Sequence, residues 1–326
     1  KRERIRAFSV PPSQRIKKLY RAGVLNTSVS DQVLAREIEQ LASGKVDCMA
    51  LRLYDADPSI VTETFISQVY SEEILEGAFL IADTINAKRL YVLYAQDQYL
   101  PPKDILVKKI CRHIDVQFVP VKTQYYPQGS LHDIQANIYR YVNKELKKSC
   151  GKISLAIDAS TAYDTYRALV LNIPLIEKII HISGDSFAQD LILKVKLGTP
   201  IRSILEEAGG FVQKPAKIIV NGIIKGRAIA NIDGPITKNT KAITVLTAKS
   251  TPDQTQSPCI HCGRCHQICP LLLQPDKLFQ YYILNAPLSK LSLDASKSCT
   301  ECGLCNMICP SRLPLYQTIS LIKEAL

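Results

Sequence analysis

The sequence predicts an α/β protein: a helix-covered parallel sheet, then a small α+β unit, then a short α-helical domain built around cysteines. Three observations carry this. Between residues 45 and 176, apolar runs of strand length alternate with amphipathic stretches of helix length, the order that gives parallel strands joined by crossover helices. Over residues 177–247 the order changes to two strands, one helix and further strands. From Cys259 onward, eight cysteines fall in two runs of identical spacing, CIHCGRCHQICP at 259–270 and CTECGLCNMICP at 299–310.

Taken in order, residues 1–44 read as a basic arm followed by helices. QRIKKLYRAG (14–23) ends at Gly23, and VSDQVLAREIEQLASG (29–44) carries apolar residues at helical spacing up to Gly44. VDCMALRLYD (46–55) is a strand, FISQVYSEEILEGAFLIADTINA (65–87) one long amphipathic helix, and KRLYVLYAQ (88–96) the next strand. The cycle continues with a helix at DILVKKICRHI (104–114), a strand at DVQFVPVKT (115–123), a helix at SLHDIQANIYRYVNKELKK (130–148), a strand at KISLAIDAS (152–160) and a helix at TAYDTYRALVLN (161–172). In residues 177–247, KIIHISGD and LILKVKLGT form a hairpin, PIRSILEEAGG a single helix, and AKIIVNG and AITVLT two more strands. AKSTPDQTQSP (248–258) is polar, holds two prolines and reads as a linker. Residues 259–326 then combine the cysteine loops with short helices at DKLFQYYILN and YQTISLIKEAL. Metal centres there substitute for a core too small to stand alone.

The doubled CxxCxxCxxxCP spacing is that of [4Fe-4S] ligation, in which the fourth cysteine of each run serves the other cluster. It assigns Cys259, Cys262, Cys265 and Cys309 to cluster I and Cys299, Cys302, Cys305 and Cys269 to cluster II. Zinc and disulfides are the competing readings. Zinc has no use for an exchanged fourth cysteine ahead of proline, and the chain shows no signal peptide that would favour a disulfide framework. Cys48, Cys111 and Cys150 sit in or beside apolar runs as core thiols. His261 and His266 lie inside the first run but compete with a full cysteine set, so they are neighbours of the cluster rather than ligands. His113, His132 and His181 have no partner constellation. Asp158 and Asp185 follow strands, where ligands of open sheets gather, and equally suit turns. The loop charges of His261, Arg264 and His266 against Glu301, Leu304 and Asn306 predict that cluster I is the easier to reduce.

The formal net charge is +11. Residues 1–21 hold eight basic side chains against Glu3, while residues 251–326 hold six against five acidic ones. Such an arm suits an acidic electron-carrier protein or an anionic surface. No nucleic-acid signature accompanies it. No apolar run reaches the roughly 18 residues of a membrane span, so the reading is a cytoplasmic chain, soluble or peripheral to a membrane through a partner. Its first residue, Lys, suits a fragment or processed form.

The order of parts resembles the RnfC family, the peripheral subunit of ion-translocating ferredoxin:NAD oxidoreductase complexes, itself similar to the NADH-binding subunit of respiratory complex I. The residues that carry the likeness are EEILEGAFLIADTINAKRLYVLY (72–94), YYPQGS (125–130), TAYDTYRALVLNIPLIEKIIHISGD (161–185), LGTPIRSILEEAGG (197–210), DGPITKNTKAITVL (233–246) and the cysteine runs. The resemblance implies that residues 45–176 form a Rossmann-like domain that binds FMN and NADH in relatives, that 177–247 form a β-grasp domain of the soluble-ligand-binding type, and that 259–326 pass electrons onward.

This sequence departs from the family pattern at the flavin site. AGVLNTSVSDQVL (22–34) keeps only Gly23 of a glycine-rich loop. LYDADPSI (53–60) keeps only Asp57 and Pro58 of an acidic stretch, and Leu131 and His132 replace the acidic residue that follows YPQG. Phosphate cradles need glycine because a side chain blocks the backbone's approach. The reading therefore expects two [4Fe-4S] clusters with neither FMN nor NAD, no catalytic residues, and single-electron relay beside the other subunits of a redox complex. The alternatives are an NADH- and FMN-dependent reductase that feeds the clusters, and a scaffold that the clusters merely brace.

Overall fold

The structure is a computed structural model, and it describes residues 7–29, 31–42, 44, 46–97, 114–146, 151–251 and 255–326. Lys1, Arg2, Arg4, Arg6, all of the helix expected at 104–114 except Ile114, with its Cys111 and His113, and Cys150 lie outside the described residues. Helix α1 (Pro12–Ala22) starts on a proline and ends at Gly23, whose φ of 70° lets its N–H reach the carbonyls of Leu19 and Tyr20. Arg15, one of the basic residues of the expected arm, is buried. It bonds Asp83 at 2.6 Å and the Phe8 carbonyl, so this charge belongs to the core.

Two expectations for the first half are corrected. Residues 29–44 are not one helix: β1 (Leu25–Asn26) pairs antiparallel with β2 (Gln32–Val33), and α2 covers only Leu34–Ala42. Asn26 donates to the Ala156 carbonyl and Thr27 to Asp158, and these distant anchors hold the segment as a hairpin against its local helical pattern. Residues 65–87 are two helices, α3 (Thr62–Val69) and α4 (Ser71–Thr84), broken at Tyr70 (φ −117°, ψ 36°). The Tyr70 ring stacks on Tyr163 at 4.5 Å, which fixes the break.

Strands β3 (Cys48–Arg52), β4 (Arg89–Ala95), β5 (Asp115–Val121) and β6 (Ile153–Asp158) form an all-parallel sheet of order β5-β4-β3-β6. Successive side chains point to opposite faces. Met49, Leu51, Leu90 and Val92 accordingly join Leu19, Leu34, Ile38 and Leu80 on one side, while Ala50, Tyr91 and Leu93 join Val119, Ile134 and Ile138 on the other. Helix α4 packs against α6 (Ala159–Leu169), where a Cβ on Gly77 would stand 2.0 Å from the Ala162 carbonyl. Helix α5 (Leu131–Tyr141) begins with a capping box made by Ser130 and Asp133 and covers the second face.

The second sheet has the order β10-β9-β11-β7-β8. Its strands are β7 (Glu177–Ser183), β8 (Leu191–Lys196), β9 (Pro215–Val220), β10 (Arg227–Ile229) and β11 (Ala242–Thr247), with β11 parallel to β7 and antiparallel to β9. Helix α7 (Ile201–Glu207) lays Ile201, Ile204 and Leu205 on Ile180, Ile182, Ile218 and Val245. The three-residue edge strand β10 has too little pattern to be seen in the sequence. The C-terminal part holds α8 (Arg264–Ile268), α9 (Pro275–Leu284), α10 (Lys290–Ser296), α11 (Leu304–Ile308) and α12 (Leu315–Ala325). Among the described residues, no helix is long and apolar enough to cross a membrane.

Candidate functional site

The two cysteine runs fold as copies of one another, offset by forty residues. His261 and Glu301 have φ of 55° and 53°, Gly263 and Gly303 of 69° and 78°, Leu272 and Arg312 of 53° each. A short helix, α8 or α11, carries the third cysteine of each run, and the fourth follows at its C-cap in extended backbone, Cys269 (ψ 119°) and Cys309 (ψ 115°). The copies pack with α8 against α11 and α9 against α12. Ser257 donates to the Ser311 carbonyl at 3.1 Å and Ser311 Oγ to the Pro258 carbonyl at 2.9 Å, so the entry to run one lies beside the exit from run two.

That packing places the fourth cysteines. Cys269, Cys299, Cys302 and Cys305 line a single cavity with Leu273, Leu304, Tyr316 and Ile319. Cys259, Cys265 and Cys309 share one cluster of packed side chains, which also takes in Cys305, Leu313 and Leu315. Backbone N–H groups point at sulfur: Leu273 donates to Cys269 Sγ and Glu301 to Cys299 Sγ, both at 3.4 Å. Burial, reinforced by the neighbouring Cys299 and Cys302, pushes the free Cys305 thiol up to about 12. Burial likewise raises the thiols of Cys299 and Cys302, and three such thiols beside Cys269 are a donor set for a cation-rich centre, whose charge stabilises thiolates. Among the described residues no three His, Cys, Asp or Glu side chains converge as for a single ion. A cubane, in which each iron takes its own thiolate, suits thiols ranged around a cavity. His266 turns Nδ1 to the Leu273 carbonyl at 2.7 Å, beside the cysteines and not among them.

Among the described residues, the first three cysteines of the second run are covered by the two sheet domains. Tyr126, in the YYPQGS loop, donates its hydroxyl to the Cys302 carbonyl. Gly303 packs on the turn at 222–226, where a Cβ would meet Ile224 O at 2.8 Å. Asp57 holds that turn by accepting from the Ile224 and Lys225 N–H groups, each at 2.9 Å. The YPQG loop is itself fixed, because Arg52 donates to the Gly129 carbonyl at 2.6 Å and Tyr54 to the Gln128 carbonyl at 2.9 Å.

Ligands of open α/β sheets bind where the strand order reverses, outside the carboxyl ends of the strands; here that is between β3 and β6. Charged side chains fill the place. Lys241 reaches across from the start of the second sheet to Asp158 at 2.5 Å, Glu63 at 2.8 Å and the Thr27 carbonyl at 3.0 Å, and Arg52 lies 3.9 Å from Asp158. Thr27 and Thr161 donate to Asp158, and Ser160 to Glu63. Burial opposes its charge, yet Lys241 and Arg52 hold the Asp158 carboxyl well below the usual range. The sequence reading named Asp158 and missed Lys241, Glu63 and Arg52, which have no spacing in common. Asp185 instead makes a turn, accepting from Thr247 N and Ser250 Oγ. His181 has a carboxylate 3.7 Å away, that of Asp190. A separate open crevice of about 800 Å³ lies beyond the carboxyl ends of β3, β4 and β5, lined by Tyr54, Asp55, Gln96, Thr123 and Tyr126 among others. Burial, then the charge of Glu63, pushes Asp55 up to about 6.

With this geometry in hand, a family described as "4Fe-4S dicluster domain" matches residues 255–313. The chain is 26% identical over 239 residues to the RnfC-type subunit of the Na(+)-translocating ferredoxin:NAD(+) oxidoreductase complex of Acetobacterium woodii, covering 73% of this chain and 53% of that protein. It is 25% identical over 276 residues to the corresponding subunit of the ion-translocating oxidoreductase complex of Rhodobacter capsulatus, at 84% and 53% coverage. Over most of its length the chain is similar to RnfC-type subunits of ion-translocating oxidoreductase complexes. It spans about half the length of these curated relatives. In fold it is similar to a chain of an NAD+-reducing [NiFe]-hydrogenase in the H2-reduced state, with a TM-score of 0.63 at 13% identity over 98% of this chain and 64% of that one. The chain thus combines an α/β body, parallel sheet included, with a ferredoxin-like iron–sulfur domain at its C-terminal end.

Proposed function

We propose that the chain is an electron-transfer module, relaying single electrons through two [4Fe-4S] clusters inside a larger oxidoreductase assembly on the cytoplasmic side of a membrane. Cys259, Cys262, Cys265 and Cys309 hold cluster I; Cys299, Cys302, Cys305 and Cys269 hold cluster II. The observation that carries this is the single cavity lined by Cys269 together with the three cysteines of the other run. When bound, the clusters supply reversible one-electron storage. The chain's own residues do the rest: they donate N–H groups to sulfur, exclude water with Leu273, Leu304 and Ile319, and seat the second run on Tyr126 and the 222–226 turn. Cluster II is then the inner centre and cluster I the outer one. Residues 45–176 are the Rossmann-like domain and 177–247 the β-grasp domain, a reading supported by the central parallel pair β7 and β11 over one helix. Residues 248–258 link them to the cluster domain at 259–326.

The proposal includes no FMN or NADH site. The residues at the strand-order reversal do not fit a flavin phosphate, because Asp158 and Glu63 present carboxylates there and Lys241 is already spent on both. The open crevice beyond β3, β4 and β5 favours the alternative, a flavin-dependent reductase. Iron, acid-labile sulfide and flavin analysis of anaerobically prepared protein tests the two together. About eight irons and no flavin are expected. Paired variants test the exchange: Cys269→Ser with Cys299→Ser should remove about four irons, whereas Cys269→Ser with Cys265→Ser should disturb both clusters. Equal losses from the two pairs would overturn the assignment.

A further inference from the structure

The repeat within the cluster domain makes its own control, since among the described residues one loop of the pair is covered and the other exposed. In the second run Thr300, Glu301 and Leu304 are half-buried and Gly303 is buried, under Ile224, Lys225 and Tyr126. In the first run Ile260, His261, Cys262 and Arg264 are all exposed, Ile260 by 65%. The same backbone therefore meets protein on one side and solvent on the other.

The covered loop shows what chemistry a cover takes. Its acidic residue, Glu301, meets a cation, since Lys323 on α12 bonds it at 2.5 Å, and the turn laid over the loop carries a second one, Lys225. In the exposed loop the carboxylate is gone and a cation is added. His261 stands at the place of Glu301 and Arg264 at that of Leu304, while Ile283 occupies the helix position of Lys323 and is 52% exposed. Exposed Ile260 and Ile283 with the Arg264 guanidinium supply the apolar and cationic side chains that protein interfaces use, and electrostatic complementarity calls for carboxylates opposite.

We propose that the loop at 260–264, with the C-terminal end of α9, is the docking surface for an acidic protein that exchanges one electron with cluster I. This rests on the relay reading above. The transfer makes and breaks no bond: the reduced cluster gives up one electron and the partner's redox centre takes it.

The test uses the full chain with its clusters and two kinds of probe. The first is zinc-substituted rubredoxin, a small acidic protein that accepts no electrons, titrated calorimetrically at low and high salt. Arg264→Glu should weaken its binding about tenfold or more at low salt, Arg264→Leu should weaken it less, and both differences should close at high salt. Lys214→Glu, on the exposed loop before β9 in the second sheet, is the control and should change nothing. The second probe is a pair of outer-sphere acceptors, ferricyanide and hexaamminecobalt(III), mixed with dithionite-reduced protein. Arg264→Glu should lower the ratio of the ferricyanide rate to the cobalt rate, a ratio that a shifted cluster potential moves little. Rubredoxin affinity and rate ratio both indifferent to residue 264 would overturn the docking surface. Clusters that dithionite cannot reduce would instead sink the relay reading while the binding titration still decides the surface.

Discussion

Replacing Lys241 by Met removes the one cation that spans Asp158 and Glu63. The two carboxylates are 0% and 1% exposed, and Lys241 lies 2.5 and 2.8 Å from them. Breaking a buried pair by deleting one partner costs about 3–5 kcal/mol. Arg52, Thr27 and Thr161 still face Asp158, so a value of about 3 kcal/mol is expected. At roughly 2–4 °C per kcal/mol for domains of 150–250 residues, the apparent melting midpoint should fall by about 6–12 °C, measured at a fixed scan rate. The pH dependence is the sharper readout. In the parent, the lowered Asp158 pKa contributes stability that is present above about pH 4 and lost only as pH falls through the folded value. In Lys241→Met burial prevails and raises that pKa, so the buried charge costs stability at pH 7 and the cost is relieved as the group protonates. The deficit should therefore be largest near pH 7 and narrow toward pH 5, and Lys241→Arg should restore part of it. A deficit below about 1 kcal/mol, or one equal at both pH values, would refute the idea that this network locks the second sheet onto the first.

Gly303→Ala and Gly263→Ala share the cost of a side chain at positive φ, about 1–2 kcal/mol. Only the former meets Ile224 O at 2.8 Å, so its midpoint should fall by a further 1–3 kcal/mol equivalent; equal shifts would mean that the 222–226 turn does not seat the second run. Lys323→Met removes the cation bonded to Glu301 and to the Cys299 carbonyl. It should lower the cluster II midpoint by a few tens of millivolts, the one-electron equivalent of about 1 kcal/mol, in an anaerobic titration followed by EPR, with cluster I unmoved.

Local pattern accounts for what could be read from the sequence. The strand–helix alternation follows from which face each residue buries, and the doubled cysteine spacing is that of iron–sulfur ligation, so the parallel sheet and the C-terminal iron–sulfur domain were legible. The β1–β2 hairpin was not, because two-residue strands carry no period and Asn26 and Thr27 are held by partners at 156 and 158. The break at Tyr70 depends on a ring more than ninety positions away. Glu63, Asp158 and Lys241 each look like an ordinary charged residue in its own segment. Only the fold brings them together.

The same limit bears on the two clusters' order of reduction. Loop charges alone, with Arg264 and two histidines in one run against Glu301 in the other, put the easier reduction at cluster I. The structure surrounds Glu301 with Lys323 and the half-buried Lys225, which offset the carboxylate on which that order depends. Leu273 donates to Cys269 and Glu301 to Cys299 at 3.4 Å, both in the set proposed for cluster II, while Asp276 and His266 offer backbone hydrogen bonds to Cys265 of the other set, and such bonds raise a cluster's potential. In favour of cluster I stand Arg264, the bonds to Cys265 and the greater exposure of its loop. The offset between the clusters is accordingly set by the cover over the second run as much as by the loops. A partner that lays carboxylates over the bare loop at 260–264 would lower cluster I while docked, and would make the outer cluster a better donor at the moment of transfer.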